Sequence, residues 1–117
     1  MKQARNYHAG LAAEDCVLRE YQSAGYLLIT RRFRQLQGEI DLIFRQHDLV
    51  VFVEVKKSRD FDSALRRLTS AQISRIFATA SAFLECQPLG QLTDIRFDLA
   101  LVDGNGSVNI MENALHE

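Results

Sequence analysis

The chain has 117 residues, 14 basic against 15 acidic side chains, and nearly half of its residues are hydrophobic. That length suits one compact domain over residues 1–117 and is too short for two. The near-zero balance excludes nucleic-acid binding through bulk charge, so such a partner needs a local basic patch.

No apolar run approaches the ~20 residues that cross a bilayer, and Met1-Lys2-Gln3-Ala4-Arg5 leads into no signal-peptide core. No membrane association is expected, and the cytoplasm is the default location. From about residue 6 to 23 the sequence predicts a helix, with Gly25 just past its end. Leu11, Val17, Leu18 and Tyr21 make its apolar face. Glu14 sits in the middle of that face. It either reaches from the edge of the stripe to solvent or an arginine, or points into a site. Tyr26-Leu27-Leu28-Ile29-Thr30 begins a strand that runs on through Arg31-Arg32-Phe33-Arg34, whose arginines suit a solvated edge or a phosphate contact. Gln35 to Gly38 makes a turn.

Two apolar, β-branched runs follow, Gly38-Glu39-Ile40-Asp41-Leu42-Ile43 and Val50-Val51-Phe52-Val53-Glu54-Val55-Lys56, parted by Gln46-His47-Asp48. This is a hairpin pattern. Residues 57–67 then read as a polar connection in which Lys57, Arg59, Arg66 and Arg67 either line a solvated loop or form a phosphate-contacting rim. Thr69 and Gln72 have capping-box spacing. Ile73, Ile76, Phe77, Ala80, Phe83 and Leu84 trace one helix face up to Pro88. Asp94 to Val102 is a strand, Asp103-Gly104-Asn105-Gly106 a hairpin turn, and Ser107 to Met111 a short return strand. Glu112 to Glu117 carries no signal. Cys16 and Cys86 fall in expected helices, as free thiols filling core space or as one disulfide. No Cys/His cluster has zinc spacing. Helix, three strands, helix, two strands predicts an α/β layered domain, a mixed central sheet flanked by helices.

Asp41, Glu54 and Lys56 are charges inside apolar strands, which is costly unless they are paired or bind a metal. Strand alternation puts Glu54 and Lys56 on one face. Asp41 joins them if the hairpin loop has two or four residues, and takes the other face if it has three. Two carboxylates and a lysine suit Mg²⁺-dependent phosphodiester cleavage, with hard oxygen ligands for the ion and an ammonium for the phosphate. Cross-strand salt bridges on a wet face are the alternative.

These two runs closely resemble the YraN-like family of small bacterial proteins. The likeness extends to Glu14, Gly25-Tyr26, Arg96-Phe97-Asp98 and Asn113-Ala114. That family is similar to the restriction-endonuclease-like superfamily, with the PD-(D/E)xK site also found in archaeal Holliday-junction resolvases. The resemblance implies a restriction-endonuclease-like layered fold and a Mg²⁺-dependent nuclease core in which Mn²⁺ can substitute. It carries over Asp41 and Glu54 as metal ligands, Lys56 as the catalytic lysine and Glu14 as a further acidic group. DNA, branched DNA included, is the implied partner, and a homodimer is the analogy with resolvases. Two departures stand out. The arginine expected one or two places after the lysine comes three after it, at Arg59. Gln72 stands where relatives often carry a lysine; it can hydrogen-bond a phosphate or a water in the site but brings no charge. Three functions follow as expectations: an endonuclease, a non-cleaving nucleic-acid-binding module of the same fold, or a protein-interaction domain.

Overall fold

Five strands form one sheet in the order β1-β2-β3-β4-β5. The computed structural model describes the backbone of residues 2–117 and, within its helices and strands, side chains from Gly10 onward. Helix α1 spans Lys2–Ser23, followed by β1 (Leu27–Gln35), β2 (Gly38–Gln46) and β3 (Leu49–Lys57). Helices α2 (Phe61–Arg66) and α3 (Ser70–Leu84) and a 3₁₀ turn (Gly90–Leu92) then lead to β4 (Asp94–Val102) and β5 (Val108–Met111). Strands β3 and β4 run parallel and the other neighbours antiparallel. A parallel pair needs a crossover connection, and α2 and α3 supply it.

The sheet is covered on both faces, which makes a layered α/β domain compatible with a restriction-endonuclease-like fold. On one side Ala13, Val17 and Tyr21 of α1 pack on Leu42, Phe44, Val51, Val53 and Ala100. On the other, Ile76, Ala80, Phe83 and Leu84 of α3 pack on Ile43, Val50, Phe52, Phe97 and Leu99. Alternate residues of β3 therefore serve opposite cores, which explains its nearly unbroken apolar run. Among the described residues, no helix is long and apolar enough to cross a membrane.

The caps read from the sequence are present. Gly25 takes a positive φ of 91° just beyond α1. Thr69 and Gln72 form a full capping box: the Gln72 amide N–H donates to Thr69 Oγ1 at 3.1 Å, and the Thr69 N–H donates to Gln72 Oε1 at 2.9 Å. Three expectations need correction. The polar connection contains α2, capped by Asp60, whose Oδ1 accepts from Ser63 N–H at 2.8 Å. The tail after Glu112 is docked: Ala114 N–H donates to the Phe97 carbonyl, and Leu115 is 2% exposed in the α3-side core. Both cysteines are free; the half-buried Cys16 packs against the α1-side core, but Cys86 is exposed and does not fill core space.

The tail is held by a buried polar network on the α1 side. Asp98 is fully buried. It accepts from Arg96 through both carboxylate oxygens at 2.9 Å, from Tyr21 Oη–H at 2.7 Å and from Asn113 N–H at 2.9 Å. Arg96 also donates to Tyr26 Oη at 3.0 Å. Burial, then the neighbouring Asp98 charge, push the Tyr21 phenol well above its ordinary range. Hydrogen bonding to Asp98 raises the Arg96 guanidinium further still. A buried, fully bonded ion pair is strongly destabilised when one partner is removed. We expect Asp98→Ala to cost about 3–5 kcal/mol and Tyr21→Phe about 1–2 kcal/mol in urea unfolding. Equal losses from the two variants would show that the Arg96 charge is not dependent on Asp98.

Candidate functional site

The site is built where the central hairpin opens. Gln46 pairs with Leu49, so the loop is the two residues His47 and Asp48, and His47 takes a positive φ of 55°. The same register runs through Leu42↔Val53, and there the β2–β3 ladder ends. Continued one step, it sets Asp41 across from Glu54, the same-face arrangement that a two-residue loop allows. Strand β3 does not stop: Glu54, Val55 and Lys56 stay paired with Leu99, Ala100 and Leu101 of β4. The β2-side edge of β3 is therefore left without a strand. The Asp41 carboxylate takes its place, accepting from Val55 N–H through Oδ2 at 2.7 Å.

Strand β2 turns over at this level. Ile40 packs in the α3-side core and Leu42 in the α1-side core, although residues two apart share a face in a regular strand. Across from Asp41 in β1, between the pairs Arg31↔Leu42 and Phe33↔Ile40, Arg32 has a φ of 51°. That left-handed conformation is uncommon for a residue with a side chain. The two strands thus share one irregularity, and it aims Asp41 at the open edge of β3.

Asp41, Glu54, Lys56 and Gln72 line one cleft of about 340 Å³ together with Gly38, Glu39, Leu68, Arg75 and Ile76. Its floor is the sheet and its wall is α3. Glu54 is part-buried, with Ile40, Phe52, Ile76 and the tail residue Leu115 around it. Burial, then hydrogen bonding to Asp41 and its negative charge, push the Glu54 carboxyl well above its usual range, and Lys56 offsets part of that. Two carboxylates facing each other in a poorly solvated cleft suit a divalent cation, which takes hard oxygen ligands and relieves their repulsion.

Not every residue proposed from the sequence arrives here. Glu14 is buried, but it does not line the cleft. Its carboxylate accepts from Arg31 at 3.5 Å and from Arg32 at 3.2 and 3.4 Å. Of the two readings of Glu14, the arginine-paired one describes its contacts. Among the described residues, no three acidic, histidine or cysteine side chains converge as a metal-holding group, so the carboxylate pair stands without Glu14. Lys57 and Arg59 are exposed in the segment after Lys56. Arg66 ends α2 and donates to Ser63 Oγ, while Arg67 donates to the Lys57 carbonyl at 2.6 Å and so ties α2 to the end of β3. None of these four lines the cleft. Glu39 and Arg75 do, and the sequence reading missed both. Arg75 was legible in principle, because it follows Gln72 by three and so shares its helix face.

The profile described as Uncharacterised protein family UPF0102 matches residues 13–102. The chain belongs to this family. A UPF0102 protein of Roseobacter denitrificans is 56% identical over 111 residues, covering 95% of this chain and 86% of that protein. Another, from Ruegeria pomeroyi, is 56% identical over 110 residues, covering 94% and 89%. A third, from Dinoroseobacter shibae, is 43% identical over 115 residues, covering 96% and 86%. The resemblance to YraN-like proteins read from the hairpin is thus a UPF0102 relationship over most of the chain. The matched span contains Asp41, Glu54, Lys56, Gln72 and Arg75, so the entire charged lining of the cleft lies within the UPF0102 region.

The carboxylate pair has a measurable signature without any substrate. Because the folded-state pKa of Glu54 is raised, the folded chain keeps a proton that the unfolded chain has already released. Stability therefore falls as pH rises from the ordinary carboxylate range, about 4.3, through the raised value. Glu54→Gln should raise the melting temperature of the metal-free protein at neutral pH, and the gain should vanish below about pH 4. A variant that melts at or below the parent at neutral pH would indicate a salt-bridged Glu54 instead.

Proposed function

We propose that the chain is a metal-dependent endonuclease that hydrolyses phosphodiester bonds in DNA, branched or otherwise structured duplexes included. The observation that carries this is the meeting of Asp41 and Glu54 at the open edge of β3, where Asp41 is held by the Val55 amide and Lys56 lines the same cleft. The chemistry fits those side chains. When bound by Asp41 and Glu54, Mg²⁺, or Mn²⁺ in its place, supplies Lewis-acid polarisation of a phosphoryl oxygen and lowers the pKa of water. Asp41 is held in one orientation by the Val55 amide, so it enters the reaction already placed. Lys56 brings an ammonium that orients the attacking water and stabilises the charge that grows on the phosphoryl oxygens. Water adds to phosphorus, one P–O ester bond breaks, and a phosphate monoester and an alcohol leave. The exposed Lys57 at the end of β3, Arg59 just after it and Arg66 at the end of α2 suit contacts to the DNA backbone outside the cleft.

Asp41→Ala, Glu54→Ala and Lys56→Ala should each abolish cleavage of a panel of duplex, flap, single-stranded and four-way-junction DNA while the chain stays folded. Mn²⁺ should stabilise the parent by about 2.7 kcal/mol at a hundredfold excess over its dissociation constant. It should stabilise Lys56→Ala nearly as much, because an ammonium is not a ligand, and Glu54→Gln much less. DNA binding and a metal response without cleavage would point to the non-cleaving module. A melting point that ignores millimolar Mn²⁺ would leave the fold without this chemistry.

A further inference from the structure

We infer that Arg75 and the side-chain amide of Gln72 form a subsite on the α3 wall of the cleft that binds a phosphate of the DNA backbone. This rests on the nuclease reading of Asp41, Glu54 and Lys56, and adds to it the groups that seat the substrate. Gln72, Arg75 and Ile76 follow one another at helical spacing and line the same cleft as the carboxylates. A Cβ on Gly38 would lie 3.2 Å from Thr79 Oγ1 and 3.4 Å from the Arg75 Cβ. A side chain there would need its α3 neighbours to give way slightly, so a glycine suits the close approach of the β1–β2 turn to α3.

The chemistry of the two side chains is specific. Arg75 is exposed, and its guanidinium has no hydrogen-bond or ion-pair partner among the described residues. Other arginines are engaged: Arg34 with Glu39, Arg45 with Gln87, Arg96 with Asp98. The pairing of Glu39 matters most. It is the acid of the cleft outside the Asp41–Glu54 pair, and it is held by Arg34 at 3.3 Å rather than by Arg75. Among the described residues Lys56 likewise makes no ion pair, although its charge offsets part of the rise at Glu54. Gln72 Oε1 is committed to the Thr69 N–H. Its NH₂ is the group left for a ligand, and an NH₂ donates to an anion but accepts no proton. The cleft therefore presents a planar guanidinium fork, an ammonium and an amide NH₂, none of them hydrogen-bonded or ion-paired among the described residues. A guanidinium matches two phosphate oxygens at once.

The test is equilibrium binding of a fluorescently labelled duplex and a four-way junction, with Ca²⁺ replacing Mg²⁺, across a salt series. Cleavage kinetics in Mg²⁺ are measured beside it. Arg75→Ala should weaken binding to both DNAs alike and reduce the slope of log affinity against log salt by about 0.9, one phosphate contact. Arg75→Lys should restore the slope but not the full affinity, because it is a point charge without the fork. In cleavage, KM should rise more than kcat falls. Gln72→Lys, which adds a charge beside Arg75, should tighten binding and steepen the slope. Should Arg75→Ala fail to fold, Arg75→Gln is measured in its place. If the parent cuts and Glu54→Gln does not, but Arg75→Ala keeps the parental slope and KM, the subsite is wrong and the nuclease reading stands. If the parent neither cuts nor binds either DNA, the reading and the subsite fall together.

Discussion

Beyond Leu42 and Val53 the central hairpin comes apart, and the Val55 amide finds its acceptor in the Asp41 side chain instead of in a strand carbonyl. A buried strand edge left without partners costs free energy. Here one carboxylate satisfies that edge and at the same time faces Glu54. The opening creates the cleft, and the residue that compensates for it is also one of the carboxylates that line it. The irregular backbone at Arg32, across from Asp41, belongs to the same solution. Such strain persists only where the surrounding packing fixes it, and both cores meet at this level of the sheet.

The far face supplies the fixation. Asp98, Arg96, Tyr21 and Tyr26 interlock α1 with β4, and the Asn113 amide draws the tail back across the end of that network. Two residues later Leu115 is buried among Ile40, Phe52 and Ile76, beside Glu54. A network on one side of the sheet thus bonds the same tail segment that packs beside the carboxylate on the other. The residues that carry the family resemblance divide accordingly. Gly38 to Asp41 and Glu54 to Lys56 build the cleft. Tyr26, Arg96, Asp98 and Asn113 build the scaffold that holds it.

What the sequence made legible followed from periodicity. The two apolar runs of β2 and β3, the 3.6-residue face of α3 and its capping box are local properties, and each is present as read. The parity argument narrowed the hairpin to loop lengths that bring Asp41 and Glu54 together, but the choice of two residues over three depended on His47 adopting a left-handed backbone. Helix α2 was hidden by its charges. Phe61, Ala64, Leu65 and Leu68 keep perfect helical spacing, yet Asp62, Arg66 and Arg67 make the stretch look like a solvated loop. The tail was illegible for a different reason: Leu115 is one apolar residue, and the hydrogen bond that docks the tail beside it runs from the Asn113 amide to Asp98, fifteen positions away and far outside any local pattern. Glu14 shows the limit of face reasoning. Its place on an apolar stripe indicated burial, but only the tertiary position of Arg31 and Arg32 decided what it met.

The central claim is that Asp41 and Glu54 hold one divalent cation between them. Anomalous diffraction from crystals of the parent protein soaked in Mn²⁺ tests it most directly. The account predicts one strong peak in the cleft, bonded at about 2.0–2.2 Å to an oxygen of each carboxylate, as hard-cation coordination requires, and lost in Glu54→Gln crystals. Saturating Mn²⁺ that leaves the Asp41–Glu54 pair bare, with any ordered ion held by surface carboxylates elsewhere, would contradict it.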